Sequence, residues 1–289
     1  MPTPGWPSDR PGPSYPEEMQ PRLFTEPAPP ADFRLSYGHD PNHVVDFRRS
    51  AVPGIRPLAI MIHGGFWRER FSLLYAGHPC AAFACAGFAT ANIEYRRTGQ
   101  PGGGWPGTFE DVTRAVQFAR DHAAQAGGDP ARAIVLGHSA GGHLALWLAG
   151  EIPDLAGVIS LGGVASLRLG CEMGIGGGAV HEFLGATPAG SPGLYRAADA
   201  EGRPSAVPRV LIHGTADDRV PLALSREYLR LRLSDAGPVK LVELPGADHF
   251  DVVDPQSRFF STVMDELNRL ATSWPPSPGS RPASAPPVG

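Results

Sequence analysis

The chain has 289 residues, a net charge of −4 and 42% hydrophobic residues, enough to bury one sizeable core. No basic run points to nucleic acid, no stretch of about 18 apolar residues could span a bilayer, and the N-terminus lacks the basic-then-apolar order of a secretory leader. Cys80, Cys85 and Cys171 are an odd set without metal-ligand spacing, so free thiols in a reducing cytoplasm are expected, with no metal and no cofactor.

Proline marks both ends. Of 32 prolines, ten fall in residues 1–30 and six in residues 273–289. The tail 273–289 has almost nothing to bury and is expected to be disordered. Residues 1–30 are expected to be largely disordered too, although Trp6, Tyr15, Leu23 and Phe24 give that segment side chains with which to strap onto the body. Residues 31–272 then form one domain.

FRLSYG (33–38) and VVDFRR (44–49), with a short polar turn between them, predict two antiparallel strands. Strand–helix alternation follows. PLAIMIH (57–63) precedes a helix over 72–86, FATANIEY (88–95) a helix over 109–126, and RAIVLGH (132–138) a helix over 140–151. LAGVISLG (155–162) and PRVLIH (208–213) are strands, then a helix over 221–235 has Pro221 in its first turn, and VKLVEL (239–244) precedes a last helix over 256–271. Asp111, Ala115, Phe118 and His122 read as the mixed face of a surface helix. This pattern predicts an α/β fold, a mostly parallel eight-stranded sheet with helices on both faces and an antiparallel edge. Residues 165–205 break the rhythm. They include GIGGGAV and a short helical piece near His181–Leu184, and read as a small cap-like insertion over the C-terminal edge of the sheet.

Residues 132–146, RAIVLGHSAGGHLAL, run from a buried strand through Gly137-His138-Ser139-Ala140-Gly141 into a helix. This is G-x-S-x-G in the strand–turn–helix setting that the motif requires. The turn strains the serine backbone and leaves no room for side chains at the two glycines. It also sets the serine oxygen above a helix N-terminus with free N–H groups. Ser139 is therefore a candidate nucleophile. The third strand ends in Ile62-His63-Gly64-Gly65-Phe66-Trp67. Backbone amides of Gly65 and Phe66 from one side and of Ala140 from the other are candidate oxyanion donors, each typically worth about 3–4 kcal/mol of barrier. His63 reads as a structural anchor for that loop.

The seventh strand runs into Thr215-Ala216-Asp217-Asp218-Arg219. Two adjacent aspartates compete for the role of acid; Asp218 suits a pairing with Arg219, and Asp217 is favoured. The eighth strand ends in Ala247-Asp248-His249-Phe250. Of ten histidines, only His249 lies just past a strand, in a loop, after both serine and acid, which makes it the candidate base. His138 and His143 flank the serine turn and read as packing.

At HGGFW (63–67), Tyr95-Arg96, WPGTFEDV (105–112), GHSAGGHLA (137–145), HGTADDRVP (213–221) and DHF (248–250), the chain resembles the esterase/lipase branch of the α/β-hydrolase superfamily. It is most similar to the group with bacterial feruloyl and acetyl-xylan esterase-like proteins and serine arylformamidases, over residues 35–270. The resemblance implies the α/β-hydrolase fold and a Ser139–His249–Asp217 triad. HGTADD also resembles the catalytic domain of prolyl-oligopeptidase-type peptidases, whose acid is the first aspartate of the pair, 32 residues before the histidine; here 249 − 217 = 32, which favours Asp217. Relatives of hormone-sensitive lipase carry a third glycine where Phe66 stands, which argues against bulky tertiary-alcohol esters. The function expected is hydrolysis of a small-molecule carboxylic ester through an acyl-enzyme. Arylformamidase, aminopeptidase-like hydrolase and non-catalytic ligand-binding protein are the alternatives. Trp67, Trp105 and His181 are candidates to line the substrate pocket. No nucleic-acid or membrane partner is expected, and the oligomeric state is open.

Overall fold

The computed structural model describes residues 21–273; residues 1–20 and 274–289, on which most of the expected disorder falls, lie outside that range. The sheet begins with β1 (Phe33–Ser36) and β2 (Val44–Arg48), antiparallel, with Phe33 opposite Phe47. It continues with β3 (Arg56–Ile62), β4 (Ala89–Ile93), β5 (Gly128–His138), β6 (Gly157–Leu161), β7 (Arg209–Gly214) and β8 (Val239–Leu244). The order is β1-β2-β4-β3-β5-β6-β7-β8, with β2 antiparallel to β4 and every later pairing parallel. Eight strands, the antiparallel edge and helices on both faces are as expected.

The helices are α1 (Arg22–Thr25), α2 (Gly77–Cys85), α3 (Gly107–Asp121), α4 (Ala140–Glu151), α5 (Leu167–Glu172), α6 (Ile175–Leu184), α7 (Pro192–Ala198), α8 (Ala223–Arg232) and α9 (Phe260–Ser273). The central strand β5 explains the layering. Successive side chains point to opposite faces, and here both faces are apolar. Ala133 and Val135 join Val112 and Val116 of α3, Leu144 and Leu148 of α4 and Leu224 of α8. Ile134 and Leu136 join Phe83 of α2 and Phe260, Val263 and Leu267 of α9. Each of the buried Val, Leu, Ile and Phe side chains contributes about 1.5–3 kcal/mol relative to exposure.

Several expectations need correction. Residues 21–30 are not loose. Leu23 is buried, Phe24 rests on Tyr75 and Phe250 with ring centroids 5.0 and 5.5 Å away, and Arg22 bridges to Asp254 at 2.6 Å. Farther along, Arg48 donates to the carbonyl of Pro29 at 2.6 Å. A cleft of about 780 Å³ lies between this strap and residues 70–77; neither Ser139 nor His249 lines it. Asp111 is buried rather than on a surface face, because Arg96 binds its carboxylate through Nε and Nη2, both at 2.7 Å, and His43 reaches it at 3.0 Å. Pro221 lies just before α8, not in its first turn. Cys80 is buried, which pushes its thiol up to about 12, whereas Cys85 is exposed; both are free.

The interval 165–205 is more helical than its glycines suggest. It holds α5, capped by Ser166 Oγ accepting from the Leu169 amide at 3.1 Å, then α6 and α7. Gly176, Gly177 and Gly178 all take left-handed φ, which bends α6 at its start.

Asp199 ties the end of this interval to α5. Its carboxylate accepts the amides of Arg168 at 2.9 Å and Glu201 at 3.2 Å. Burial and the nearby Glu201 nevertheless push its pKa up to about 7. A carboxyl with a raised folded-state pKa holds an extra proton when folded, so its contribution is fullest below the unfolded pKa and is lost as pH rises toward 7. Thermal midpoints measured between about pH 5 and 8 should therefore fall less steeply for Asp199→Asn than for the wild type; parallel curves would refute the assignment.

Candidate active site

Ser139 sits between the last residue of β5 and the first of α4, with φ 56° and ψ −118°. That conformation costs on the order of 1–3 kcal/mol and persists only where the surroundings enforce it. Here its amide donates to Leu161 of β6 at 2.9 Å, and its carbonyl accepts the amides of Gly142 at 2.9 Å and Val164 at 3.2 Å. A β-carbon at Gly137 would strike the Gly141 carbonyl, and one at Gly141 would strike the carbonyls of Ile62 and His63. The two glycines of the motif are thus required by close backbone approach.

The loop after β3 lies directly against this turn. A β-carbon on Gly64 would come within 2.8 Å of Ser139 Cβ. Gly65, Phe66 and Trp67 follow with φ of 111°, 53° and 56°, so the backbone winds left-handed through three residues. Among the described residues, the amides of Gly65, Phe66 and Ala140 donate to no protein acceptor. His63 anchors the loop, as its position suggested. Its Nδ1 meets the Gly64 carbonyl at 2.8 Å, its Nε2 meets Glu94 at 2.7 Å, and its ring stacks on Tyr95. Burial opposes ionisation of Glu94, but His63, Arg97 and the Leu73 amide outweigh it and bring the carboxyl below its usual range.

Loops after β7 and β8 bring Asp217 and His249 together. His249 Nδ1 donates to Asp217 Oδ2 at 2.7 Å. Asp217 Oδ1 accepts the amides of Arg219 and Val220 at 2.9 and 2.8 Å, and His213 Nε2 lies 3.2 Å from Oδ2. Burial raises the Asp217 pKa, yet the hydrogen bonds from His213 and His249 overcome it, and the carboxyl ends far below the carboxylate range. Asp218, by contrast, is 70% exposed and pairs with Arg219 at 3.3 Å. Gly162, at the end of β6, adjoins the pair: a β-carbon there would lie 3.2 Å from Asp217 and 3.3 Å from His249.

The family model described as BD-FAE matches residues 49–153. Esterase LipC of Mycobacterium tuberculosis is 28% identical over 267 residues, covering 82% of this chain and 65% of that protein. Esterase LipQ of the same organism is 30% identical over 229 residues, covering 71% and 53%. The chain thus spans between 53% and 65% of the length of these two curated relatives. A carbohydrate esterase from gut microbiota superposes with a TM-score of 0.70 at 19% identity, covering 84% of this chain and 99% of the other. A thermophilic esterase from Thermogutta terrifontis gives 0.68 at 21% identity, covering 87% and 96%. The chain has the α/β-hydrolase fold.

Within that fold the expected pocket residues are dispersed. Trp67 does not line an open site. It is 0% exposed, stacks on Phe183 of α6 at 4.5 Å and meets His143 edge-on, because the left-handed turn at Phe66–Trp67 sends its ring inward. Trp105 is half-buried against Phe109 at 4.8 Å. His181 is exposed on α6, beside Glu182, which pairs with Arg68 at 2.7 Å. The insertion reaches the site through Phe66, whose ring lies against Gly176. Pattern reading missed His213, which stands at the end of β7 and was visible only as the first residue of HGTADD. It also missed Tyr75, which touches Gly64 and His138.

No group of three or more His, Cys, Asp or Glu among the described residues is placed to hold a metal ion, and no described helix is long and apolar enough to cross a membrane. Because Trp67 is packed rather than pocket-lining, Trp67→Ala should cost about 3–5 kcal/mol of stability in urea titration. A loss below about 1 kcal/mol would restore Trp67 as a pocket residue.

Proposed function

We propose that this chain is a serine carboxylic-ester hydrolase acting through an acyl-enzyme on a small-molecule ester. The observation that carries the reading is the 2.7 Å contact between His249 Nδ1 and an ionised Asp217 that also accepts two backbone amides, on the same sheet edge as the strained Ser139. A carboxylate accepts, so Nδ1 carries the proton and Nε2 keeps a lone pair. His249 Nε2 takes the proton from Ser139 as its Oγ bonds to the ester carbonyl carbon. The carbonyl oxygen becomes an oxyanion, to be met by the amides of Gly65, Phe66 and Ala140, which among the described residues have no protein acceptor of their own. Collapse breaks the ester C–O bond, and the alcohol leaves with the proton from Nε2. Water, deprotonated by the same nitrogen, attacks the acyl carbon; the acyl C–Oγ bond breaks, Oγ takes the proton back from Nε2, and the acid leaves.

The interval 165–205 is proposed to set specificity, because Gly176 and Phe66 meet beside the oxyanion loop. A cytoplasmic location fits the exposed free thiol of Cys85.

Purified protein should hydrolyse short p-nitrophenyl esters and be labelled at Ser139 by a fluorophosphonate, with Ser139→Ala losing both. Asp217→Asn should lower kcat by roughly 10⁴-fold, as expected when the base loses its orienting acid, while Asp218→Asn stays near wild type. Cleavage of an N-formyl aromatic amide in place of every ester would move the reading to a formamidase. Absence of both turnover and labelling would move it to a binding protein.

A further inference from the structure

We infer that Tyr75 and His138 are positioning residues: together they lock the oxyanion loop to the backbone of His249 and so hold donors, nucleophile and base in one register. The inference rests on the hydrolase reading above and concerns groups that reading does not use.

Three hydrogen bonds carry it. The Gly64 amide donates to Tyr75 Oη at 2.6 Å. Tyr75 Oη and His138 Nδ1 are 2.8 Å apart. His138 Nε2 and the His249 carbonyl are 3.0 Å apart. For a neutral imidazole, one arrangement of protons satisfies all three. A carbonyl only accepts, so Nε2 bears the hydrogen and Nδ1 the lone pair. The tyrosine hydroxyl therefore donates to Nδ1 and accepts from Gly64. The ring must stay neutral for this, and its surroundings keep it so: burial, with His249 nearby, lowers the His138 pKa to about 3.

The placement of the links argues for more than packing. Gly64 precedes the Gly65 and Phe66 amides, so pinning its N–H orients the backbone that presents them. His138 precedes Ser139 in the chain, so the middle link is covalently joined to the nucleophile. The last link grips the main chain of His249, whose side chain is held separately by Asp217. Tyr75 and His138 are both buried, and the aromatic rings of Phe24 and Phe250 cover them at 5.0 and 5.7 Å. In such surroundings a lost partner is not replaced cheaply by water, and the loop must shift instead. Oxyanion donors act on the transition state, so their displacement lowers kcat more than it raises KM.

Tyr75→Phe keeps the ring and removes only the hydroxyl. Turnover is to be measured per fluorophosphonate-titrated serine in the full chain, so that any misfolded fraction is not counted. Tyr75→Phe is expected to lower kcat by roughly 10- to 100-fold, with KM changed less than about twofold. A trifluoromethyl ketone that mimics the tetrahedral adduct should lose affinity by the same factor as kcat/KM. His138→Gln, whose side-chain amide can still donate to the His249 carbonyl, should retain more kcat than His138→Leu. Wild-type kcat in Tyr75→Phe, or equal kcat in the Gln and Leu variants, overturns the pair. If the wild type neither turns over nor is labelled, the hydrolase reading itself falls, and the pair falls with it.

Discussion

The serine turn is the constraint to which the rest of the site is fitted. β5 must stop and α4 must start within one residue, so Ser139 is held at φ 56° against its own preference. Neighbouring backbone then approaches so closely that only glycine is tolerated at 137 and 141. The strain is offset by bonds to Leu161 of β6 and to Val164 just beyond it, by the first turn of α4 at Gly142, and by the loop after β3 pressed onto the serine itself. Parallel pairing of β3, β5, β6, β7 and β8 places every contributing loop on the same edge. The strand order thus does much of the assembly before any side chain takes part.

Around that turn, buried polar groups are matched with partners of complementary chemistry. Asp217 meets two amides and two imidazoles; Glu94 meets His63, Arg97 and the amides of Leu73 and Tyr95. Both carboxyls end below their usual pKa even though burial alone would raise them. The histidines divide by partner. His249, like His63 and His43, faces a carboxylate, whereas His138 and His143 face carbonyls and are held neutral by burial, with pKa lowered to about 3 and about 4. The same residue type thus faces a carboxylate in one place and fixes a carbonyl in another, according to its surroundings.

What was legible in the sequence follows from the same physics. Ser139 and its glycines were readable because sterics in a sharp turn dictate residue type locally. The strands were readable because a sheet covered on both faces demands continuous apolar runs. Asp217 and Asp218 look alike to any periodicity; only the turn at residues 217–220 aims one at His249 and the other at solvent. Trp67 was unreadable for a related reason. Whether an aromatic after a glycine loop points into a pocket or into the core depends on φ at Phe66 and Trp67, both left-handed here without glycine. The Tyr75–His138 contact joins residues 63 apart and leaves no mark in either local pattern. The helices of the insertion were obscured because glycine lowers helix propensity, while here Gly176, Gly177 and Gly178 take a conformation that glycine alone adopts readily.

The strap at the start of the described chain has a consequence in time. Arg22 and Asp254 are 232 positions apart, and Phe24 meets Phe250 across nearly the same span. On a ribosome, the segment meets Tyr75 and Arg48 soon after it emerges, but Asp254 and Phe250 only once most of the domain has followed. Closing so long a loop is slow compared with forming the local strand–helix units. The far fastenings of the strap, to Asp254 and Phe250, therefore have the longest loop to close, and its near ones to Tyr75 and Arg48 a short one. The loop that bears His249 gains this fastening only when residues 22–24 and 250–254 meet.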